Sequence, residues 1–119
     1  MFKYIFLLII AASLLFSCSP VPTIGGKINS GNIADGVYKG IFYSWPNKAW
    51  VEVVVEGKKI TVCKVIKSAG IFRSTGVEEI IPKRIIKEQS TKVDVVSGAT
   101  NFSHVVMNAT ENALSKAVK

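Results

Sequence analysis

The sequence predicts an α+β domain, a small antiparallel sheet of three to four strands packed by two helices. Two patterns carry that expectation. Val51, Val53 and Val55 alternate with Trp50, Glu52, Val54 and Glu56, the period-two signature of a strand buried on one face. Near the end, Phe102, Val105, Val106, Ala109, Ala113 and Ala117 recur at the i, i+3, i+4, i+7 spacing of an amphipathic helix running to the C-terminus. Strand patterns precede helix patterns along the chain, and that order favours helices layered on one sheet.

The elements follow in order. Residues 1–17, MFKYIFLLIIAASLLFS, carry one positive charge, Lys3, and then an apolar run. That run falls short of the about 20 apolar residues a membrane span needs, and matches the apolar region of an export signal. Leu15-Phe16-Ser17-Cys18 follows directly and resembles the bacterial lipobox, in which a signal peptidase cuts before a cysteine diacylated on its sulfur. Cys18 is therefore the expected lipid-bearing residue, and the mature chain is expected outside the cytoplasm, held to membrane lipid. Residues 18–36 are rich in Ser, Pro, Gly and Asn and read as a flexible linker. The folded domain is expected over residues 37–119.

Within it, VYKGIFYSW reads as a strand that ends at the turn pair Pro46-Asn47. AWVEVVVEGKKITVCKVIK reads as a hairpin whose turn is Gly57-Lys58. SAGIFRSTG is a loop by composition. In VEEIIPKRIIKEQS the apolar residues stand at helical spacing, and Pro82 suits a first helical position, so a helix is expected from about Pro82 after a separate turn at Gly76. TKVDVV is expected to be a short extended piece.

Charge and cysteines narrow the classes. The chain has 15 Lys and Arg against 8 Asp and Glu. A basic balance raises nucleic acid as a partner, but the positive residues are scattered and export removes access to it. With Cys18 lipidated, only Cys63 remains, so no disulfide forms within the mature chain. Cys63 lies in a strand pattern and reads as a small half-buried residue.

Asp94-Val95-Val96-Ser97-Gly98-Ala99-Thr100 stands directly before the last helix. Thr100 falls at or beside its N-cap, where the first N–H groups lack internal partners and the dipole is positive, a setting that attracts phosphate. Gly98 permits a tight turn, Ala99 keeps the approach open, and Ser97 and Ser103 offer further donors. From the residues alone, an ordinary threonine cap after a glycine turn also accounts for the stretch. Asp94, Ser97 or Ser103, and His104 supply the side-chain types of a hydrolytic triad, but Val95 stands where a nucleophile elbow needs glycine. No P-loop pattern and no Cys/His cluster for a metal occurs.

Asp94-x-x-Ser97-Gly98-Ala99-Thr100 resembles the D-x-x-[ST]-G-A-[ST] signature of the FMN-binding domain family. That family includes the G subunit of the Rnf complex, the C subunit of the sodium-pumping NADH:quinone reductase, and small lipoproteins of extracytoplasmic electron transfer. ADGVYKG, GKKITVCKVIK and IIPKRIIKEQSTKVDVVSGATNFS are similar to further family blocks. The E-T-x-G segment often present in the family's middle loop is absent, and Ser74-Thr75-Gly76 is its nearest remnant.

The resemblance implies covalent FMN on Thr100, esterified by a magnesium-dependent flavin transferase that uses FAD. Asp94, Ser97, Gly98 and Ala99 form the signature that enzyme reads, and Ser103 is a further candidate for the cofactor site. The implied role is an electron-transfer flavoprotein rather than a turnover enzyme, serving redox partner proteins or quinone-linked donors. The competing reading is a lipoprotein interaction module of the same fold that is never flavinylated. Isoalloxazine stacks well on aromatic rings, for which Tyr38, Phe42, Tyr43, Trp45, Trp50 and Phe72 are candidates, while the spacing of Phe102 places it in the helix stripe.

Overall fold

A computed structural model describes residues 25–28, 32–70 and 76–118. The expected export signal, Cys18 and Phe72 lie outside the described residues. The expected α+β architecture is what the chain adopts. Strands β1 (Gly36–Ser44), β2 (Asn47–Glu56) and β3 (Lys59–Ala69) form one antiparallel sheet in the order β1-β2-β3. Helices α1 (Val77–Glu88) and α2 (Thr100–Ser115) follow.

The valine alternation sets the register. Val51, Val53 and Val55 are buried on one face, with Gly40 opposite Val51 on β1 and Cys63 opposite Val53 on β3. Gly57 and Lys58 both take positive φ, 60° and 62°, as the two central residues of a tight hairpin turn require. The other sheet face stays open, exposing Val37, Ile41, Tyr43 and Val62. There Lys48 and Lys67 lie over the Trp50 ring, 4.6 Å and 5.0 Å from its centroid. Antiparallel sheets tolerate one wet face in this way.

α2 is the central helix. Ten of its residues are buried, Phe102 and Val105 through Thr110 among them, because β1, β2, α1 and the N-terminal stretch all pack around it. Its closest approach is to β1, where Gly40 leaves room for the backbone at Ala109 and Ala113. Asn112 Oδ1 accepts from Ile41 N at 3.0 Å, and Ala34 N donates to Ala117 O at 2.9 Å. Traced backwards from Ala117, the helix therefore rises from the start of β1 towards its far end. That places Thr100 at the end of the domain where β2 begins and β3 finishes. α1 runs antiparallel to β3: Ser68 Oγ donates to Glu78 Oε1 near its start, and Gln89 Nε2 donates to Ile60 O at its end.

Two expectations need correction. α1 begins at Val77, and Pro82 lies inside it. Val77, Ile81 and Ile85 line one buried face at four-residue spacing. Burying Val77 and Ile81 stabilises by about 3–6 kcal/mol in sum, which matches or exceeds the roughly 3 kcal/mol that an interior proline costs. Second, the stretch expected to be a free linker is docked where it is described. Thr91 N donates to Gly26 O at 2.9 Å, Ile28 N to Gln89 O at 3.0 Å, and Ile33 is buried in the core. Asp35 carboxylate oxygens accept from Gly57 N and Lys58 N, which ties this stretch to the β2–β3 turn. Residues 92–96 pair with no strand.

Candidate flavin site at the start of the last helix

The loop ahead of α2 is a closed turn built by its own backbone and one hydroxyl. Ala99 N donates to Val96 O at 3.0 Å, and Ser103 N to Ala99 O at 2.9 Å. Ser103 Oγ accepts from Val96 N at 3.1 Å and donates to Ala99 O at 2.7 Å. Gly98 sits at φ 83°, a left-handed conformation that glycine adopts at little cost. The turn leaves Asp94, Ser97, Gly98 and Thr100 exposed and buries Ala99 and Ser103.

Two sequence-derived roles change accordingly. Ala99 is 2% exposed and faces the core, so it does not border the approach. The open approach belongs to Gly98, where an added Cβ would meet no atom within 4 Å. Ser103 is fully buried and its proton is already given to Ala99 O, so it shapes the turn instead of donating outwards. The same bond removes Ser103 from the hydrolase reading. His104 lies half-buried on α2.

Thr100 is the first residue of α2, with Ala99 as its N-cap, so it stands just inside the helix rather than capping it. Ala99 gives no side-chain cap bond, and the first turn of α2 holds no acidic residue. The positive end of the α2 dipole thus has no carboxylate of its own turn against it, and a phosphate is favoured there. An exposed hydroxyl, open space over Gly98 and amide donors together fit a phosphate-linked flavin. Among the described residues no group of three or more His, Cys, Asp or Glu side chains is placed to hold a metal.

Arg84 was not legible in the sequence as part of this region. From α1 its Nη1 donates to Asp94 O at 2.7 Å and to Val95 O at 3.1 Å. Gln89 was missed likewise: at φ 49°, just past α1, its amide pairs with both the N–H and the carbonyl of Ile60. No periodicity marks a polar side chain whose partner is a distant backbone group.

Of the aromatic candidates, Trp45 is 80% exposed in the β1–β2 turn, at the same end of the domain as Thr100. Tyr38 and Phe42 pack against the core, and Tyr38 OH donates to Ala34 O at 2.7 Å. Cys63 is buried with its Sγ 3.8 Å from Thr110 Oγ1, and burial pushes its thiol up to about 11, with the Thr110 bond acting the other way.

No curated protein matches the chain. The model of the FMN-binding domain matches residues 45–115, from the β1–β2 turn to the last residue of α2. That match spans more than half of the sequence and includes the whole Asp94–Thr100 turn, so this chain belongs to the FMN-binding domain family and is a flavin-binding protein.

Proposed function

We propose that the protein carries FMN covalently on Thr100 and passes electrons between redox partners while held to a membrane by acylated Cys18. The carrying observation is Thr100 itself: an exposed hydroxyl on the first turn of a buried helix, beside the open backbone of Gly98. A threonine hydroxyl is a weak nucleophile without a base, and the attachment is assigned to a separate flavin transferase with FAD and magnesium. In that step the Thr100 Oγ–phosphorus bond forms and the bond from that phosphorus to the adenylate of FAD breaks. AMP leaves, and the hydroxyl proton goes to a base of the transferase.

The protein's own residues set the product's surroundings. Gly98 leaves room for the phosphodiester, and the α2 N–H groups face its remaining negative charge, a contribution of about 0.3–1 kcal/mol. FMN supplies the electron-carrying chemistry when attached. A covalent bond also keeps the site filled where free FMN is dilute, since a reversible site is occupied only in proportion to ligand over its dissociation constant.

Co-expression of the full-length chain with a flavin transferase tests this reading. Flavin fluorescence in denaturing gels and a mass increase of one FMN moiety are expected in the membrane fraction. Thr100→Ala abolishes the label, and Cys18→Ala moves labelled protein to the soluble fraction. A label that survives Thr100→Ala overturns the attachment site. An unlabelled wild-type chain in the presence of active transferase favours an interaction module that keeps the fold without the cofactor.

A further inference from the structure

The position of Arg84 points to a role that deepens the reading above and rests on it. We infer that Arg84 is a positioning residue for flavinylation, shaping the turn that presents Asp94 and Thr100 to the transferase.

The argument starts from backbone geometry. In an extended strand successive carbonyls point to opposite sides. Here the successive carbonyls of Asp94 and Val95 converge on one nitrogen, Arg84 Nη1, at 2.7 Å and 3.1 Å. Convergence bends the chain, and this explains why TKVDVV, apolar and β-branched as it is, forms no strand. The loop is pinned on either side as well. Thr91 is buried, with its hydroxyl donating to Glu111 Oε2 at 2.7 Å, and Val96 N is held by Ser103. At Asp94 and Val95, between those pins, the bonds come from Arg84.

The anchor of the bend is rigid. Arg84 stands between Ile81 and Ile85, each fully buried, so its Cα is fixed by the core. Its planar guanidinium holds its donors in a fixed fork, so the bend is set by geometry wherever the domain is folded. The side chain of Asp94 stays exposed on the same loop as exposed Ser97 and Thr100. The order of the signature in sequence thus becomes a fixed order on the surface, with Arg84 as the element outside the signature that sets it.

The test uses the full-length chain and purified transferase with FAD and magnesium, following flavin incorporation over time alongside thermal unfolding. Arg84→Met keeps the apolar stem and removes the donors. Misplacing a reacting group by about 1 Å costs up to roughly a hundredfold in rate, so Arg84→Met is expected to lower kcat/KM for the protein substrate by about tenfold or more. Arg84→Lys, which keeps a charged donor, recovers a large part of the loss. A structural defect would not reproduce the second readout, a double-mutant cycle with Asp94→Ala. If Arg84 acts by placing Asp94, adding Arg84→Met to Asp94→Ala costs little further rate.

Arg84→Met labelled at the wild-type rate overturns the inference, as does full additivity with Asp94→Ala. Should Arg84→Met unfold, Arg84→Lys and its cycle with Asp94→Ala decide the matter in the same terms. A wild-type chain that takes no label overturns the covalent reading first and this role with it, whereas wild-type label with an indifferent Arg84 overturns the role of Arg84 alone.

Discussion

Two glycines define two regions that differ in kind. Gly40 lies where β1 crosses α2. A Cβ there would stand 2.9 Å from Ala113 Cα, and closer still to the Ala109 carbonyl oxygen and the Ala113 amide nitrogen. Gly98 lies in the turn before α2, at φ 83°, with open space where a Cβ would go. The first glycine is required by proximity, the second by torsion. The difference shows how the domain divides its work: a crossing without slack fixes the axis of α2, and a turn held by a few polar bonds presents chemistry at that helix's outer end.

The largest effect is expected at the crossing. Gly40→Ala drives a methyl group into two stretches of helix backbone, neither of which can rotate away. Overpacking of this type costs about 3 kcal/mol or more, a large fraction of the stability of a small domain. Urea unfolding should show a midpoint far below wild type. A loss under 1 kcal/mol would mean that α2 slides readily over β1, and the contrast with Gly98 would dissolve.

Beneath the same helix, Cys63 offers a pH-dependent probe of how dry that packing is. Burial raises its thiol from 9.0 to about 11. Below pH 9 the thiol is protonated in both folded and unfolded chains, and its contribution to stability is fully present. As pH climbs from 9 towards 11 the unfolded chain ionises while the folded chain does not, so stability falls through that window and levels off above it. A shift of this size corresponds to roughly 3 kcal/mol. The quantity to measure is wild type minus Cys63→Ala, by urea unfolding at pH 8 and pH 10.5. A difference that does not change between the two would show that water reaches the thiol.

These regions also differ in how much of them the sequence revealed. The valine alternation and the helical stripe exposed the sheet and α2, because burial on one face writes a period into the chain. α1 was placed too late, since the rule that proline opens helices was outweighed by the buried face of Val77, Ile81 and Ile85. Before α2, the sequence marked the glycine turn at Gly98 but reversed the roles of Ala99 and Ser103. Ala99 and Ser103 turn inwards because α2 is buried over most of its circumference, and a short string of small residues does not say which of them face the core. Arg84 and the docked residues 25–28 depend on hydrogen bonds between distant parts of the chain, for which local pattern carries no mark.

The smallest effect, and the sharpest test of the comparison, is at Gly98. Gly98→Ala meets no atom, so its cost is the left-handed torsion alone, about 1 kcal/mol. Asparagine tolerates that torsion better than alanine, so Gly98→Asn should be the milder change despite its larger side chain. At Gly40 the order must invert, with Asn worse than Ala, because there only volume matters. Four variants measured by urea unfolding therefore separate torsion from proximity without reference to flavin. The same order at both positions would mean that the turn before α2 is as tightly packed as the crossing, leaving no open approach to Thr100 for a phosphate to enter.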